Sequence, residues 1–237
     1  LHRRRHSFPT RRSSDLCDLI ALEYDPFDSV WHDRPAAPAG LISLMPPDIS
    51  GELSTAKRAR LAARLQALSV DFLVITQPDN IAWLLNMRGS DVAMNPVPHS
   101  FALVKNNGAI EWFVDPAKLV LIPPVWLSDI GLKSPTEFLA RCQDVAAGKR
   151  LLLDADYTPV AVRFAVEKGG GQVLWHPDPL TEMKAQKNLT ELEGYRDCHV
   201  EDGVAWVNFL AWLAREVPAR EARGMPLTEL AAQTQIG

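Results

Sequence analysis

Apolar residues recur along the chain with two spacings, one typical of helices and one typical of buried strands. Leu61, Leu65 and Leu68 follow one another at intervals of four and three residues, which predicts an amphipathic helix beginning near Ser54. The apolar run at residues 72–76 comes next and predicts a buried strand. Pro78 then favours the start of a second helix, because proline is tolerated in the first helical turn.

The middle of the chain continues this alternation of helices and strands. Two strand-like runs, residues 101–105 and 109–114, are separated by Asn106-Asn107-Gly108, and an Asn-Gly pair predicts a type I′ hairpin because both residues tolerate positive φ. The later elements are a helix with a capping box at Ser134 that ends at Gly148, a strand at 150–154, a helix from Thr158 to Gly169, and a strand at 172–175. We therefore expect an α/β domain with a mixed β-sheet flanked by helices.

A different pattern begins after Pro179. Residues 188–217 contain no proline, and Asn188 and Thr190 are each followed three residues later by Glu, so one long capped helix is predicted. Proline stops helices, and we expect this one to end at Pro218 and to be followed by an irregular tail. Its apolar stripe is broad enough to need a partner and comprises Val204, Trp206, Val207, Phe209, Leu210, Ala211, Trp212, Leu213 and Ala214.

The beginning of the chain has a different character from the rest. Residues 17–50 contain five prolines and are predicted to be a loop-like linker. Residues 6–16 match, in order, the translation of a common sequencing adapter, so we expect residues 1–16 to be foreign to the protein and to lack stable structure. These 16 residues contain five Arg and one Asp, and without them the chain carries 20 basic and 28 acidic residues.

Composition excludes several classes of protein. The 237 residues are 47% hydrophobic and 23% charged, as in ordinary globular proteins, and no apolar run approaches the length of a membrane span. The net charge of −4 argues against a nucleic-acid partner. Three scattered cysteines do not form a disulfide framework, which points to a reducing compartment and hence to the cytoplasm.

The common catalytic motifs are missing from the sequence. There is no glycine-rich phosphate loop, and Ser90 has no Gly-x-Ser-x-Gly context. Cys198, His199 and Asp202 lie on the predicted long helix, but one helix supplies too few ligands for a metal site. We therefore assign no catalytic residue and no metal ligand.

One segment, residues 80–96, combines apolar residues with a dense polar turn. Gly89 allows a tight turn, Arg88 offers a planar pair of donors to a carboxylate, and Asp91 is placed to hold Arg88 in position. Two hypotheses remain open. Either Arg88 and Asp91 form a buried pair that fixes a loop, or they form a rim that contacts a substrate.

The same segment resembles a known family. Ile81-Ala-Trp-Leu-Leu-Asn-Met-Arg-Gly-Ser-Asp-Val92 resembles the middle domain of the three-domain Xaa-Pro aminopeptidases, which belong to the creatinase/prolidase superfamily. Val30-Trp-His-Asp-Arg-Pro35 is similar to the linker before that domain. Residues 183–205 are similar to the start of the family's catalytic domain and its first long helix.

This resemblance implies a function that the residues alone do not. Such enzymes remove an N-terminal residue that precedes proline, using two divalent metal ions, usually manganese, held by five ligands, two Asp, one His and two Glu, of a pita-bread domain. The resemblance implies that these ligands fall beyond Gly237, so that this chain is a fragment, inactive alone, of an enzyme that is a homodimer at full length. The candidates for substrate binding within this chain are then Arg88 and Asp91.

The resemblance also divides the chain. We expect a linker and the tail of an upstream domain at residues 17–50, a creatinase N-terminal-like domain at 51–180, and the start of a truncated catalytic domain at 181–237. An alternative hypothesis is a catalytically dead relative that serves as a peptide- or protein-binding module. The presence or absence of the five metal ligands downstream separates the two hypotheses.

Overall fold

The computed structural model describes residues 25–236 and divides the chain into two units, one ending at Ala37 and the other beginning at Pro38. In the described part of the first unit, Asp25 caps a short 3-10 helix, Pro26–Ser29. The expectation that residues 1–16 lack stable structure concerns residues outside the described range.

The second unit contains eight strands and eight α-helices within its described residues, together with three short 3-10 helices. The strands are β1 (Ile42–Leu44), β2 (Phe72–Ile75), β3 (Met87–Gly89), β4 (Phe101–Lys105), β5 (Ile110–Phe113), β6 (Ile130–Lys133), β7 (Arg150–Leu153) and β8 (Gln172–Trp175). The helices are α1 (Pro47–Ser50), α2 (Ser54–Ala67), α3 (Pro78–Leu85), α4 (Phe138–Asp144), α5 (Val160–Lys168), α6 (Pro179–Ala185), α7 (Leu189–Glu221) and α8 (Glu229–Ile236).

Six of the strands form a mixed sheet in the order β6-β5-β4-β2-β7-β8. The pairs β6–β5, β2–β7 and β7–β8 are parallel, whereas β4 is antiparallel to both β5 and β2. Strands β1 and β3 form a separate antiparallel pair. The expected mixed sheet is confirmed.

Helices cover both faces of this sheet because its strands alternate their apolar side chains. Leu73 and Ile75 of β2 pack into a core with helices α2, α3 and α6, while Val74 between them packs on the other face with α4 and α5. Since side chains along a strand point alternately to opposite faces, one short strand serves two cores. The α/β fold class is thus confirmed.

The hairpin between β4 and β5 differs from its prediction. Gly108 has a φ of +86°, but Asn106 and Asn107 do not have positive φ, so the turn is not type I′. The Gly108 N–H donates to Lys105 O and the Lys105 N–H donates to Ala109 O, both at 2.8 Å, which closes a three-residue loop. A type I turn followed by a left-handed glycine fits this pattern. The side chain of Asn107 accepts from the Ala109 N–H, which holds Asn107 in the turn and leaves the left-handed position to Gly108.

Three predicted boundaries are also wrong. Helix α4 ends at Asp144, four residues before Gly148, which lies in the turn that leads to β7. Helix α7 continues through Pro218 to Glu221: proline lacks an N–H donor and disturbs the turn before it, but the turn after it keeps its bonds, and the Pro218 carbonyl accepts from the Ala222 N–H at 3.1 Å. The expected irregular tail contains α8, whose start is capped by Thr228.

Residues 38–50 are not the loop that their prolines predicted. Strand β1 pairs with β3 so that Ser43 lies opposite Arg88, and one helical turn, α1, follows. Strand β1 has three residues and α1 is a single helical turn, and neither forms an apolar run or a periodic pattern that marks it in the sequence. The loop prediction fails there because the pairing partner of β1 lies more than 40 residues away.

Helix α7 is exposed along its length. It has no buried residue, and Val204, Trp206, Val207 and Leu210 are each more than half exposed. In residues 25–236 no helix combines the length and the apolar character needed to cross a membrane.

Candidate functional site

Arg88 is placed by an abrupt reversal of the chain after α3. Pro78 occupies the first turn of that helix, and Asn86 ends it with a left-handed backbone, φ +53° and ψ +48°. The chain therefore turns at once into β3, where Arg88 is the central residue. The next residue, Gly89, lies against Pro98, and a Cβ at Gly89 would sit 2.6 Å from the Pro98 nitrogen. Glycine is required there because nothing larger fits.

Asp91 does not hold Arg88, so the predicted pair is wrong in its geometry. The Asp91 carboxylate accepts hydrogen bonds from Lys118 Nζ at 2.6 Å, from the His99 N–H at 2.6 Å and from the Gly40 N–H at 2.8 Å. Its side chain is fully buried and that of Lys118 is 5% exposed. Burial alone would raise the pKa of Asp91, but these hydrogen bonds outweigh it and keep the pKa below its usual value. Asp91 thus ties three separate segments to the turn after Arg88.

Arg88 itself binds only backbone carbonyls. Its Nη1 donates to Met87 O at 2.8 Å and to Ala82 O at 3.4 Å, and no carboxylate of the described residues lies within ion-pair distance. Burial lowers the pKa of Arg88, and the negative charge of Glu191 only partly opposes this effect. The guanidinium is therefore a half-buried cation without an anionic partner among the described residues.

Arg88 lines a cavity of about 730 Å³, a volume typical of small-molecule sites. The walls come from α1, α2, α3, β3, the loop at residues 95–97, and the segment from α6 into the first turns of α7. Apolar side chains, including Trp83 and Tyr195, form part of the wall. The charged residues that line it are Lys57, Asp79, Arg88, Lys184, Lys187 and Glu191.

Lys57 is a second buried cation at this cavity, and the sequence analysis missed it. Its side chain reaches under Trp83, with Nζ 4.2 Å from the ring centroid, and donates to Trp83 O at 3.1 Å and to Asn86 Oδ1 at 2.6 Å. Burial lowers the pKa of Lys57 to about 8, although Glu191 and Glu52 favour the charged form. Lys57 precedes Leu61 and Leu65 by four and eight residues, so its position on the buried helix face was visible in the sequence.

Glu191 connects α7 to the cavity. It completes the predicted capping box with Asn188, accepting from the Asn188 N–H at 3.0 Å, and it accepts from Trp83 Nε1 at 3.3 Å. The capping prediction is confirmed for Asn188, since the helix begins at Leu189. Through these bonds the start of α7 is anchored to α3.

The described residues offer no metal site. They contain no group of three or more His, Cys, Asp or Glu side chains placed to hold a metal ion. On exposed α7, Cys198 Sγ lies 3.7 Å from an Asp202 oxygen, but His199 Nδ1 bonds to Tyr195 O instead. The thiol of Cys142 lies in the core, where burial raises its pKa to about 12, so it is not an activated nucleophile.

The fold and the site together define a class of protein. It is an α/β domain with a mixed sheet that continues into a long helix, α7, and it carries a cationic cavity where the first turns of α7 meet α3 and β3. The chain belongs to the creatinase/prolidase N-terminal domain family, whose model matches residues 33–191. The family resemblance noted in the sequence is confirmed.

The curated relatives of the chain include fungal proteins named probable Xaa-Pro aminopeptidase P. The one from Arthroderma benhamiae is 35% identical over 207 residues, which cover 82% of this chain and 29% of the relative. The one from Pyricularia oryzae is 33% identical over 234 residues, which cover 92% of this chain and 37% of the relative. The chain thus spans about a third of the length of these relatives.

Among solved structures, the chain is similar to an X-prolyl aminopeptidase from Caenorhabditis elegans. The TM-score is 0.79 at 24% identity, and the match covers 92% of this chain and 35% of the other. That protein is described as a cytosolic enzyme with a di-nuclear active site. At this identity the likeness establishes the fold.

Proposed function

We propose that this chain is the non-catalytic portion of a metal-dependent Xaa-Pro aminopeptidase, which removes an N-terminal residue that precedes proline. The observation that carries the proposal is the family match together with relatives named Xaa-Pro aminopeptidase P, which extend well beyond the matched region. The Caenorhabditis elegans protein is named an X-prolyl aminopeptidase, and its structure shares the fold of this chain.

The proposed enzyme uses two divalent metal ions, manganese by our proposal, and we propose that residues outside the described part of this chain hold them. The described residues lack a suitable set of ligands, so no catalytic step is assigned to them. The division expected from the sequence remains part of the proposal for the creatinase N-terminal-like domain at 51–180 and the start of the catalytic domain at 181–237; of the linker proposed at 17–50, residues 38–50 contain β1 and α1, and β1 pairs with β3 of the domain. The complete enzyme is proposed to be a cytoplasmic homodimer.

Within that enzyme, Arg88 is proposed to contact the substrate peptide. Three features support this role: the guanidinium has no carboxylate partner among the described residues, it lines a cavity, and it is held by two carbonyls. Asp91 is proposed to contribute by position, because its buried carboxylate joins Gly40, His99 and Lys118 to the turn that follows Arg88.

The test of the proposal is hydrolysis by the complete protein. Purified protein with Mn²⁺ is incubated with Ala-Pro-Leu and, as a matched control, Ala-Ala-Leu, and released alanine is measured. We expect release from Ala-Pro-Leu at least tenfold faster than from the control, and loss of that activity with a chelator. No release above a metal-only blank would contradict the proposal and support a catalytically dead binding module.

A further inference from the structure

The cavity around Arg88 has a charge imbalance that points to a ligand. Four cations and two carboxylates line its described part, although the whole chain carries a net charge of −4. The local excess of positive charge is therefore a property of this cavity and not of the chain as a whole.

Both carboxylates already have partners. Asp79 pairs with Lys184, whose position is thereby fixed. Glu191 accepts from the Asn188 N–H and from the Trp83 indole. Neither carboxylate forms an ion pair with Arg88 or Lys57.

Arg88 and Lys57 are left with neutral acceptors. Lys57 bonds to a backbone carbonyl and to the side chain of Asn86, and Arg88 bonds to two backbone carbonyls. Nε and Nη2 of Arg88 make no hydrogen bond to the described residues. A cation withdrawn from water without a directly paired opposite charge is costly, and Glu191 offsets this cost only in part, so an anion in the cavity would interact favourably with both groups.

The shape and lining of the cavity indicate what kind of anion fits. About 730 Å³ is much larger than an inorganic ion, and the apolar wall with Trp83 and Tyr195 suits a side chain. A guanidinium presents parallel N–H groups that match the two oxygens of a planar carboxylate. A molecule that joins a carboxylate to apolar groups meets both conditions.

We propose that this cavity binds the C-terminal carboxylate of a short peptide, with Arg88 donating to both carboxylate oxygens and Lys57 adding charge from beneath Trp83. The choice of a peptide rests on the proposed function, whereas the choice of a carboxylate rests on the cavity itself. No bond is made or broken in this binding.

Isothermal titration calorimetry on the 237-residue chain tests the proposal with three probes: Ala-Pro-Leu with a free carboxylate, the same peptide with a C-terminal amide, and inorganic phosphate. We expect the free peptide to bind at least tenfold more tightly than either of the others. Equal binding of acid and amide would overturn the proposal, and so would phosphate binding as tight as that of the peptide, which would indicate a general oxyanion site.

Arg88→Lys should weaken binding of the free peptide at least tenfold and leave the amide unaffected, because lysine cannot donate to both oxygens in parallel. Arg64→Lys is the matched control, since Arg64 is an exposed arginine on α2 that pairs with Glu182 outside the cavity. Unchanged binding in Arg88→Lys would overturn the proposal. If circular dichroism shows that Arg88→Lys is unfolded, the comparison of acid and amide on the unmodified chain decides alone.

This binding experiment is independent of catalysis. Hydrolysis by the complete protein without carboxylate-dependent binding by the chain would overturn this inference and leave the proposed function standing. Carboxylate-dependent binding by the chain without hydrolysis by the complete protein would support this inference and overturn the proposed function.

Discussion

Asp178 carries a buried charge whose cost should be visible in the pH dependence of stability. The residue is 4% exposed and caps α6, with Oδ1 accepting from the Leu180 N–H and Oδ2 from Asn80 Nδ2. Burial raises the pKa of Asp178 from 3.8 to about 6, and the nearby charge of Asp154 adds to this, although the hydrogen bonds and Lys184 oppose it. The difference between a pKa of 3.8 and one of about 6 corresponds to about 3 kcal/mol.

The direction of the effect follows from proton binding. Between pH 4 and pH 6 the folded protein holds a proton on Asp178 that the unfolded chain has released. The free energy of unfolding contributed by this group therefore falls as the pH rises through that range, and it stays constant above it. About 2 of the 3 kcal/mol fall between pH 4.5 and pH 7.5.

Asp178→Asn removes the titration and keeps the cap. Asn accepts from the Leu180 N–H in the same way. Its amide finds an acceptor when the Asn80 amide flips, because Asn80 Nδ2 now faces Asp178 Oδ2 whereas Asn80 Oδ1 is buried without a partner among the described residues. We expect the stability of the variant relative to the unmodified chain to increase by about 2 kcal/mol between pH 4.5 and pH 7.5. Urea unfolding followed by far-ultraviolet circular dichroism at the two pH values measures this difference.

Asp115→Asn is the matched control for this experiment. Asp115 caps a short 3-10 helix through the same kind of hydrogen bond, but it is exposed, so its charge remains in contact with water. Its substitution removes an exposed charge and not a buried one, and so gives the baseline against which Asp178→Asn is compared. A stability difference for Asp178→Asn that is independent of pH, or that falls as the pH rises, would refute the reasoning.

Three further predictions concern the turn after Arg88 and the chain as a whole. Gly89→Ala should lower the free energy of unfolding by about 2 kcal/mol, because the new Cβ would lie 2.6 Å from the Pro98 nitrogen. Gly203→Ala is the control and should not destabilise the chain, because open space surrounds Gly203. Equal urea midpoints for the two variants would contradict this prediction. Asp91→Ala should lower the free energy of unfolding by about 3–5 kcal/mol, because it leaves Lys118 buried without its partner. A decrease below about 1 kcal/mol in chemical unfolding would contradict a buried pair of Asp91 and Lys118. The chain alone with Mn²⁺ should release no alanine from Ala-Pro-Leu, because its described residues hold no metal, and turnover above a metal-only blank would count against that expectation.

The central elements of the fold could be predicted because their patterns are local. The spacing of Leu61 and Leu65 marks one face of a helix, and both residues are fully buried. The run at β2 marks a strand that is covered on both sides, as the alternating partners of Leu73 and Val74 confirm. Periodicity records burial, so it is informative wherever an element is long enough to show a period.

The elements that were missed depend on distant partners. Strands β1 and β3 have three residues each and are held by pairing with one another, which no local pattern reveals. The continuation of α7 past Pro218 needs only one more turn of backbone bonds after the proline, so a general rule about proline placed the end too early.

The site was only half predictable for the same reason. Arg88 was visible because it follows a helix and precedes a glycine in a polar turn, and the structure places it at the cavity. The sequence analysis paired Asp91 with Arg88, the nearest cation along the chain, but the fold brings Lys118 to Asp91 from 27 residues away. Contacts of this length come from the packing of the sheet and loops, and the sequence interval carries no information about them.

The measurement that tests the role of Arg88 most directly is the kinetics of Arg88→Lys in the complete protein, with Arg64→Lys as the control. If Arg88 binds substrate, kcat/KM for Ala-Pro-Leu should fall about tenfold or more, equivalent to about 1.4 kcal/mol of transition-state stabilisation, while the melting temperature stays nearly unchanged. If kcat/KM per folded molecule is unchanged while the melting temperature falls, Arg88 serves only to stabilise its own domain, and the substrate-binding role is wrong.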